Sequence, residues 1–226
     1  MRPSIEHLKP YRSLFLLSFL AIGLLGVRIL VLTPISNESL QIQLRNGNFH
    51  FLFLAWNLFL AWIPLIISHW LIQQKRARWV VATSLMGWLL FFPNAPYLLT
   101  DFVHLRNSGG VPFWYDFILL SIFGTTGLIL GIYSLEQIRK YLVQYWSRSV
   151  ASIMLTSTLL LSGLGIYLGR VLRWNSWDIF TNPLGLLNDT SHLLFHPIQQ
   201  WQAWSLIIIS STMLSLFYGC YIKWKS

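Results

Sequence analysis

The chain has 226 residues, of which 55% are hydrophobic and only 10% are charged. Soluble domains carry about 25% charged residues, so this composition excludes a water-soluble globular protein. The 16% of aromatic residues excludes an intrinsically disordered chain. The net charge is +9, but the basic residues flank apolar segments, which indicates topology signals rather than a nucleic-acid surface. We therefore expect a membrane protein whose partner is the lipid bilayer and which binds no nucleic acid.

Six apolar segments follow one another along the chain, and each can cross a hydrocarbon core of about 30 Å as a helix. Because backbone groups in lipid must be hydrogen-bonded within the segment, these segments are predicted to be α-helices. The sequence predicts an all-α, polytopic membrane helix bundle with about six transmembrane helices, in one integral membrane domain over residues 1–226. The predicted spans are 13–33, 49–72, 79–99, 113–135, 150–172 and 201–222.

The basic residues are divided unequally between the two sides of such a bundle. Eleven of the 16 lysines and arginines lie at the termini and in the second and fourth connections. The positive-inside rule therefore places both termini in the cytoplasm, which agrees with an even number of spans. Five of the seven acidic residues and four of the six histidines fall on the opposite side. Any functional site is thus expected at the extracytoplasmic face.

The third predicted span contains Pro93 and Pro96 near its outer end. Each proline removes a backbone donor and disfavours helical backbone angles at the residue before it. The 14 residues of segment 79–92 make a helix of about 21 Å, which is short of a full crossing. Either the helix is broken in the outer leaflet, or a simple proline kink lets it continue to Leu99. Asn94 would then satisfy the freed carbonyl groups or contact a ligand.

Asp101 and His104 follow this segment and are three residues apart, so they are neighbours if the chain is helical. A carboxylate that orients an imidazole raises its basicity, which makes the two residues a candidate catalytic pair for proton transfer. The same two residue types also ligate metals. The alternative is that Asp101 is a helix cap or a turn residue.

Arg170 and Arg173 are three residues apart at the end of the fifth span. If both are helical, their guanidinium groups point the same way and can bind a lipid phosphate or another small anion. They could instead pair with outer carboxylates. Asp116, at the start of the fourth span, is expected to pair with Arg170, Arg173 or Arg106, or to stabilise the helix dipole. The candidate ligand-binding residues are Asn94, Tyr97, Asp116, Arg170, Arg173, Asn175 and Asp178.

The last outer connection contains Asp189, His192 and His196 at a spacing that zinc sites use on one helical face. Pro197 argues against such a site, because the residue before a proline avoids the helical region. His192 and His196 are thus weak candidates for metal ligands, and no cofactor is indicated. The segment 184–197 is more simply an interfacial helix.

Small residues line one face of the fourth span and one face of the fifth. Such faces let helices approach closely in lipid. They favour packing within the chain, and they are equally compatible with a homo-oligomer. The residues are Gly124, Gly127 and Gly131 in the fourth span, and Thr158, Ser162, Gly165 and Gly169 in the fifth.

Two strings of residues carry a resemblance to a known family. The first is FPNAPY, followed by TD and HL, within residues 92–105, and the second is GIYLGR, followed by RWNSWD, within residues 165–178. Over nearly its whole length the chain resembles the bacterial family of membrane proteins called domain of unknown function 1361. This resemblance implies a multi-pass protein of the bacterial cytoplasmic (inner) membrane. It supplies no activity, substrate or catalytic residues.

Three functions remain open at this point. The first is an outer-face site that binds an anionic lipid or a small anionic ligand, with or without catalysis. The second is a small transporter or channel-like protein, and the third is a membrane assembly partner without enzymatic activity. Polar residues that converge around an open cavity favour the first, whereas a polar path that continues to the cytoplasm favours the second. Dispersed, fully paired charges favour the third.

Overall fold

The computed structural model describes residues 9–32, 51–106 and 111–225, and over these residues the chain is helical without strands. The prediction of an all-α, polytopic membrane helix bundle is confirmed. The helices are α1 (Lys9–Val27), which continues as a π-helical turn (Arg28–Leu32), α2 (Leu52–Ile72), α3 (Arg78–Phe91), α4 (Asn94–Tyr97), a 3₁₀ helix (Leu98–Arg106), α5 (Phe113–Tyr145), α6 (Arg148–Arg170), α7 (Asp178–Thr181), α8 (Pro183–Phe195) and α9 (Trp201–Lys225).

Within these ranges, five helices are long and apolar enough to cross a membrane, so the protein is a multi-pass membrane protein. They are α1 with its π-helical continuation, α2, α5, α6 and α9. The predicted span 79–99 is not among them, because α3 has only 14 residues, which corresponds to about 21 Å. Residues 33, 49 and 50 of the predicted spans lie outside the described residues. The cytoplasmic location of both termini stays a prediction.

The fourth predicted span ends at residue 135, whereas α5 has 33 residues and continues to Tyr145. The polar residues beyond 135 extend the helix because Glu136 pairs with Arg139 one turn later, with Nε and Oε2 2.6 Å apart. Glu136 also accepts hydrogen bonds from Tyr218 and Lys225 of α9, at 3.1 and 3.3 Å. Hydropathy thus located the apolar part of this helix but not its end.

The long helix α5 lies at the centre of the bundle. Helices α1, α2, α4 and α6 and the 3₁₀ helix all pack against it, and α9 packs against α6. Leu119, Leu120 and Phe123 of α5 are completely buried. The short helix α4 contacts α2, α5 and α6, so the segment after α3 lies against all three of these helices.

The segment after α3 is a helix break and not a simple kink. Helix α3 ends at Phe91, and a turn leads into α4 and then into the 3₁₀ helix. The expectation that the residues before the prolines leave the helical region is wrong. Phe92 has φ −55° and ψ −40°, and Ala95 lies within α4. The Ala95 amide donates to the Phe92 carbonyl (3.1 Å), so the hydrogen bonding changes here to the tighter i, i−3 pattern while the backbone stays in the helical region.

The small-residue faces of α5 and α6 accommodate this break. A Cβ atom at Gly131 of α5 would lie 3.4 Å from the Cβ atom of Ala95. At Gly165 of α6 it would lie only 2.7 Å from the Pro93 ring. These glycines therefore pack within the chain, as close helix contacts in lipid require. Association of two chains stays a prediction.

Gly165→Ala is expected to destabilise the protein by about 1–3 kcal/mol, because the added methyl group must displace the rigid Pro93 ring. Gly23 in α1 is the matched control, since a Cβ atom there would meet nothing within 4 Å. Gly23→Ala should be neutral or stabilising by up to about 1 kcal/mol, as alanine is the better helix former. Thermal unfolding in detergent measures both effects, and equal shifts would contradict the packing described.

Candidate functional site

An open cavity of about 870 Å³ is bounded by α2, the break after α3, the end of α6 and the connection that follows it. Its volume is that of a site for a drug-sized ligand. The described residues that line it come from separate parts of the chain. The polar ones include Asn57, Asn94, Tyr97, His104, Arg170, Arg173, Asn175 and Ser176, and the apolar ones include Phe53, Trp56, Leu60, Leu90, Val103, Leu168, Ile179 and Leu186.

Most of the site residues predicted from the sequence meet at this cavity. The break positions Asn94 and Tyr97, and the 3₁₀ helix positions His104 and the fully buried Asp101. The end of α6 supplies Arg170, and the connection after α6 supplies Arg173 and Asn175. The residues that line the cavity are Asn94, Tyr97, His104, Arg170, Arg173 and Asn175, while Asp101 lies behind Arg170 and bonds to it.

Arg170 joins α6 to the broken span. Its Nε and Nη2 atoms donate to Thr100 Oγ1 at 3.0 and 2.6 Å, and Nη2 also donates to Asp101 Oδ1. Its Nη1 atom lies 3.1 Å from His104 Nε2, and its guanidinium carbon lies 4.1 Å from the centre of the Tyr97 ring. Because arginine can only donate, His104 accepts through Nε2. The Nε2 lone pair is therefore occupied by a cation.

Arg173 is placed differently, because α6 ends at Arg170. The helical i, i+3 arrangement expected for the two arginines is wrong, although both line the same cavity. Arg170 already uses four of its five N–H groups. The Arg173 side chain is exposed and makes no ion pair or hydrogen bond with any residue that the structure describes. Arg173 is thus the guanidinium that is open to a ligand.

The backbone at Arg173 is strained. Its φ angle is +62°, and no other non-glycine residue in the described ranges has a positive φ. This conformation costs roughly 1–2 kcal/mol for a residue with a Cβ atom, and such strain is concentrated at functional sites. It turns the chain back over the end of α6, where the Trp174 amide donates to the Leu168 carbonyl at 3.0 Å.

The Asp101 carboxyl changes charge closer to neutral pH than an ordinary aspartate does. Burial raises its pKa to about 6, although the Arg170 guanidinium and the Asn57 amide both lower it. Its Oδ2 atom is buried and accepts no hydrogen bond from the described residues. The loss of hydration therefore outweighs the attraction to the guanidinium.

Asp116 and Asp178 do not face the cavity. Asp116 pairs with Arg28 at the end of α1, with Nε and Oδ1 2.7 Å apart, and both side chains are buried. The expected pairing of Asp116 with Arg106, Arg170 or Arg173 is thus corrected, because α1 packs against the first turns of α5 and brings Arg28 there.

The Asp178 carboxylate stabilises the turn in which it lies. It accepts from the Asn175 amide at 2.6 Å and from the Thr181 hydroxyl at 3.0 Å. The Asn175 amide lowers the pKa of this carboxyl. These bonds close the turn that leads into α7, so Asp178 shapes the wall of the cavity without entering it.

The two weak metal candidates lie outside the cavity. His192 and His196 stack with their ring centres 4.5 Å apart, and Asp189 accepts from the Trp174 indole at 2.9 Å instead of facing them. As Pro197 predicts, His196 lies just beyond the end of α8. Within the described ranges, no group of three or more histidine, cysteine, aspartate or glutamate residues is arranged to hold a metal.

Two residues that shape the site, Thr100 and Ser176, were not predicted from the sequence. Thr100 receives two hydrogen bonds from Arg170, which is 70 residues away. Ser176 donates to the Leu90 carbonyl at 3.2 Å and accepts from Asn94, which also donates to the Phe91 carbonyl at 3.0 Å. Asn94 therefore satisfies a backbone group of the break, which was one of its two predicted roles, while its side chain also lines the cavity.

Arg173→Gly is expected to stabilise the protein by up to about 1 kcal/mol, because glycine adopts a positive φ without strain. Arg173→Lys should leave the stability unchanged, since it retains the strain. Thermal unfolding in detergent compares both variants with the native protein. A loss of stability in Arg173→Gly would indicate that the arginine side chain supports the fold, and would contradict its assignment as an unengaged group.

No curated protein and no solved structure matches this chain. A family model described as protein of unknown function (DUF1361) matches residues 56–217, which is more than two thirds of the chain. The matched segment contains both resemblance strings and all the polar residues that line the cavity in the described part of the chain. The protein therefore belongs to the DUF1361 family of proteins of unknown function.

Proposed function

We propose that the protein binds an anionic ligand through an oxyanion, such as a phosphate or a carboxylate, in the cavity between α2 and α6. The observation that carries this proposal is Arg173, whose guanidinium lines the cavity without a carboxylate partner among the described residues. An arginine presents a planar fork of N–H donors that matches an oxyanion. We further propose that the cavity opens at the extracytoplasmic face of the cytoplasmic membrane, as the loop charges predict.

The charge around the cavity supports an anion. Arg170 and Arg173 contribute two positive charges, and Asp101 contributes one negative charge when it is ionised, so the described side chains carry a net charge of +1. Apolar walls lower the local dielectric constant and strengthen the field of this charge. Arg170 adds one remaining N–H group, and the Tyr97 hydroxyl, which makes no hydrogen bond with the residues that the structure describes, adds another donor.

The residues behind the cavity have a positioning role in this proposal. Thr100, Asp101 and His104 hold the Arg170 guanidinium from one side, while the Tyr97 ring covers its face. Acid–base catalysis by Asp101 and His104 is the alternative role. It would require His104 Nε2 to leave Arg170 before it could accept a proton.

Transport is less well supported than binding. The cavity lining reaches Leu60 of α2 and Leu90 of α3 but includes no described residue of segments 61–72 or 78–89. The next polar side chain along α2, Ser68, donates to Gln137 in a separate network. A membrane assembly partner with fully paired charges is also less favoured, because Arg173 has no described ion-pair partner.

Arg173→Gln should weaken the binding of inorganic phosphate by about tenfold or more, because it removes a charged donor from the oxyanion. Calorimetric titration of the full chain in an uncharged detergent measures this affinity. Arg148→Gln is the matched control, since Arg148 is exposed at the opposite end of the same helix. Unchanged binding in Arg173→Gln, or an equal loss in both variants, would refute the site.

The affinity for an anion should rise as the pH falls through about 6, because burial raises the pKa of Asp101 to about 6. Below that pH the carboxyl is neutral, so it no longer competes with the anion for Arg170, and the net charge around the cavity becomes +2. Sulfate is the suitable probe because its own charge does not change in this range. We expect about threefold to tenfold tighter binding at about pH 5 than at about pH 7.5.

His104 also contacts Arg170, so two variants separate the contributions of Asp101 and His104. Asp101→Asn should bind sulfate tightly at both pH values, whereas His104→Gln should keep the dependence on pH. If Asp101→Asn kept the full dependence and His104→Gln lost it, the assignment to Asp101 would be wrong.

A further inference from the structure

We propose that the anion in this cavity is the headgroup of a membrane lipid with a single negative charge, and that part of the lipid chain lies against the apolar walls. This inference rests on the proposed function, because it takes the oxyanion site at Arg173 as given. It adds the chemical class of the ligand and the route by which the ligand enters.

The size and composition of the cavity argue for an amphiphile. A volume of about 870 Å³ is that of a site for a drug-sized molecule, far more than an inorganic anion fills. The polar groups beside the proposed oxyanion site lie on the segment after α3 and around the end of α6. Apolar side chains form the rest of the lining, including Trp56 and Leu60 of α2, Leu168 of α6 and Ile179 of α7.

The apolar lining continues to the outer surface of the bundle. Trp56, Val103 and Ile179 line the cavity and are also 51%, 60% and 43% exposed. Helix α2 and helix α6 are both apolar enough to cross a membrane, so the surface between their ends faces lipid. A soluble anion would have to cross an apolar rim, whereas a lipid chain is stabilised by it.

The depth of the site fits a headgroup. Trp56 at the rim contacts Trp177, with ring centres 6.1 Å apart, and tryptophan is enriched at headgroup depth. In α7 and α8, which follow Trp177, the side chains of Phe180, Leu184 and Leu187 are exposed. Helices that lie in the membrane interface also expose apolar side chains in this way. Arg173 precedes these residues by a few positions and is therefore expected at phosphate depth.

The net charge of the side chains at the cavity favours one type of lipid headgroup. With Asp101 ionised, the two arginines and this carboxylate leave a net charge of +1 among the described side chains at the cavity. In an environment of low dielectric constant, one negative charge on the ligand balances this charge, and a second would be uncompensated. A phosphodiester lipid without a cationic group, such as phosphatidylglycerol, carries a net charge of −1. A zwitterionic phosphodiester lipid, such as phosphatidylcholine, carries a net charge of zero.

The test uses the purified full chain in an uncharged detergent, with phosphatidylglycerol, phosphatidylcholine and phosphatidic acid as lipids. The soluble headgroup is glycerol phosphate in the form of its methyl ester, a phosphodiester that carries the same single negative charge as phosphatidylglycerol. Native mass spectrometry measures lipid retention, and calorimetry measures glycerol phosphate binding. We expect phosphatidylglycerol to bind about tenfold more tightly than phosphatidylcholine, and phosphatidic acid to bind no more tightly than phosphatidylglycerol. Arg173→Gln should abolish the preference for phosphatidylglycerol over phosphatidylcholine.

Ile179→Gln tests the apolar wall. It should weaken phosphatidylglycerol binding by about fivefold, the effect of losing part of one buried aliphatic side chain, and should leave glycerol phosphate binding unchanged. Leu184→Gln is the control, because Leu184 is exposed nearby but does not line the cavity. Val103→Gln, at another position on the wall, provides the same test if Ile179→Gln does not fold.

The outcomes separate the two proposals. If glycerol phosphate binds as tightly as phosphatidylglycerol and the wall variants have no effect, the lipid inference is overturned while the oxyanion site stands. Equal retention of phosphatidylcholine and phosphatidylglycerol also overturns the lipid inference, and tighter binding of phosphatidic acid overturns the single-charge argument. If neither phosphatidylglycerol nor glycerol phosphate binds, both proposals fail.

Discussion

The contact between Arg170 and the broken third span is the interaction on which the site depends. Arg170 ties the 3₁₀ helix that follows the break to α6 through Thr100, Asp101 and His104. Removing one partner of a buried ion pair costs about 3–5 kcal/mol, because the other charge is left uncompensated. The same contact therefore fixes both the backbone of the break and one wall of the cavity.

The break creates the cavity because α3 ends before the other helices do. An interrupted backbone in an apolar environment persists only where other groups satisfy it. Asn94 and Ser176 do this for the carbonyl groups of Phe91 and Leu90, and Gly165 lets the Pro93 ring approach α6. The side chains that satisfy the backbone groups of the break thus also line the cavity beside it.

The sequence predicted the parts of this arrangement that depend on local composition. Hydropathy located the five long helices, and two prolines located the break. The sequence could not predict which charged side chains form ion pairs, because Arg28 and Asp116 are 88 residues apart and Arg170 and Asp101 are 69 residues apart. The sequence also could not show that α6 ends at Arg170, because residues 171–173 continue the apolar and basic pattern that is typical of a helix end.

That helix end gives the two arginines different roles. Had α6 continued through Arg173, both guanidinium groups would share one helix face and compete for Asp101. Because the chain turns at Arg173 with a positive φ, only Arg170 reaches the carboxylate, and Arg173 remains exposed at the cavity. A single carboxylate therefore neutralises one arginine and leaves the other charged, and the proposed anion site depends on this asymmetry. The strain at Arg173 is the energetic cost of keeping that charge uncompensated.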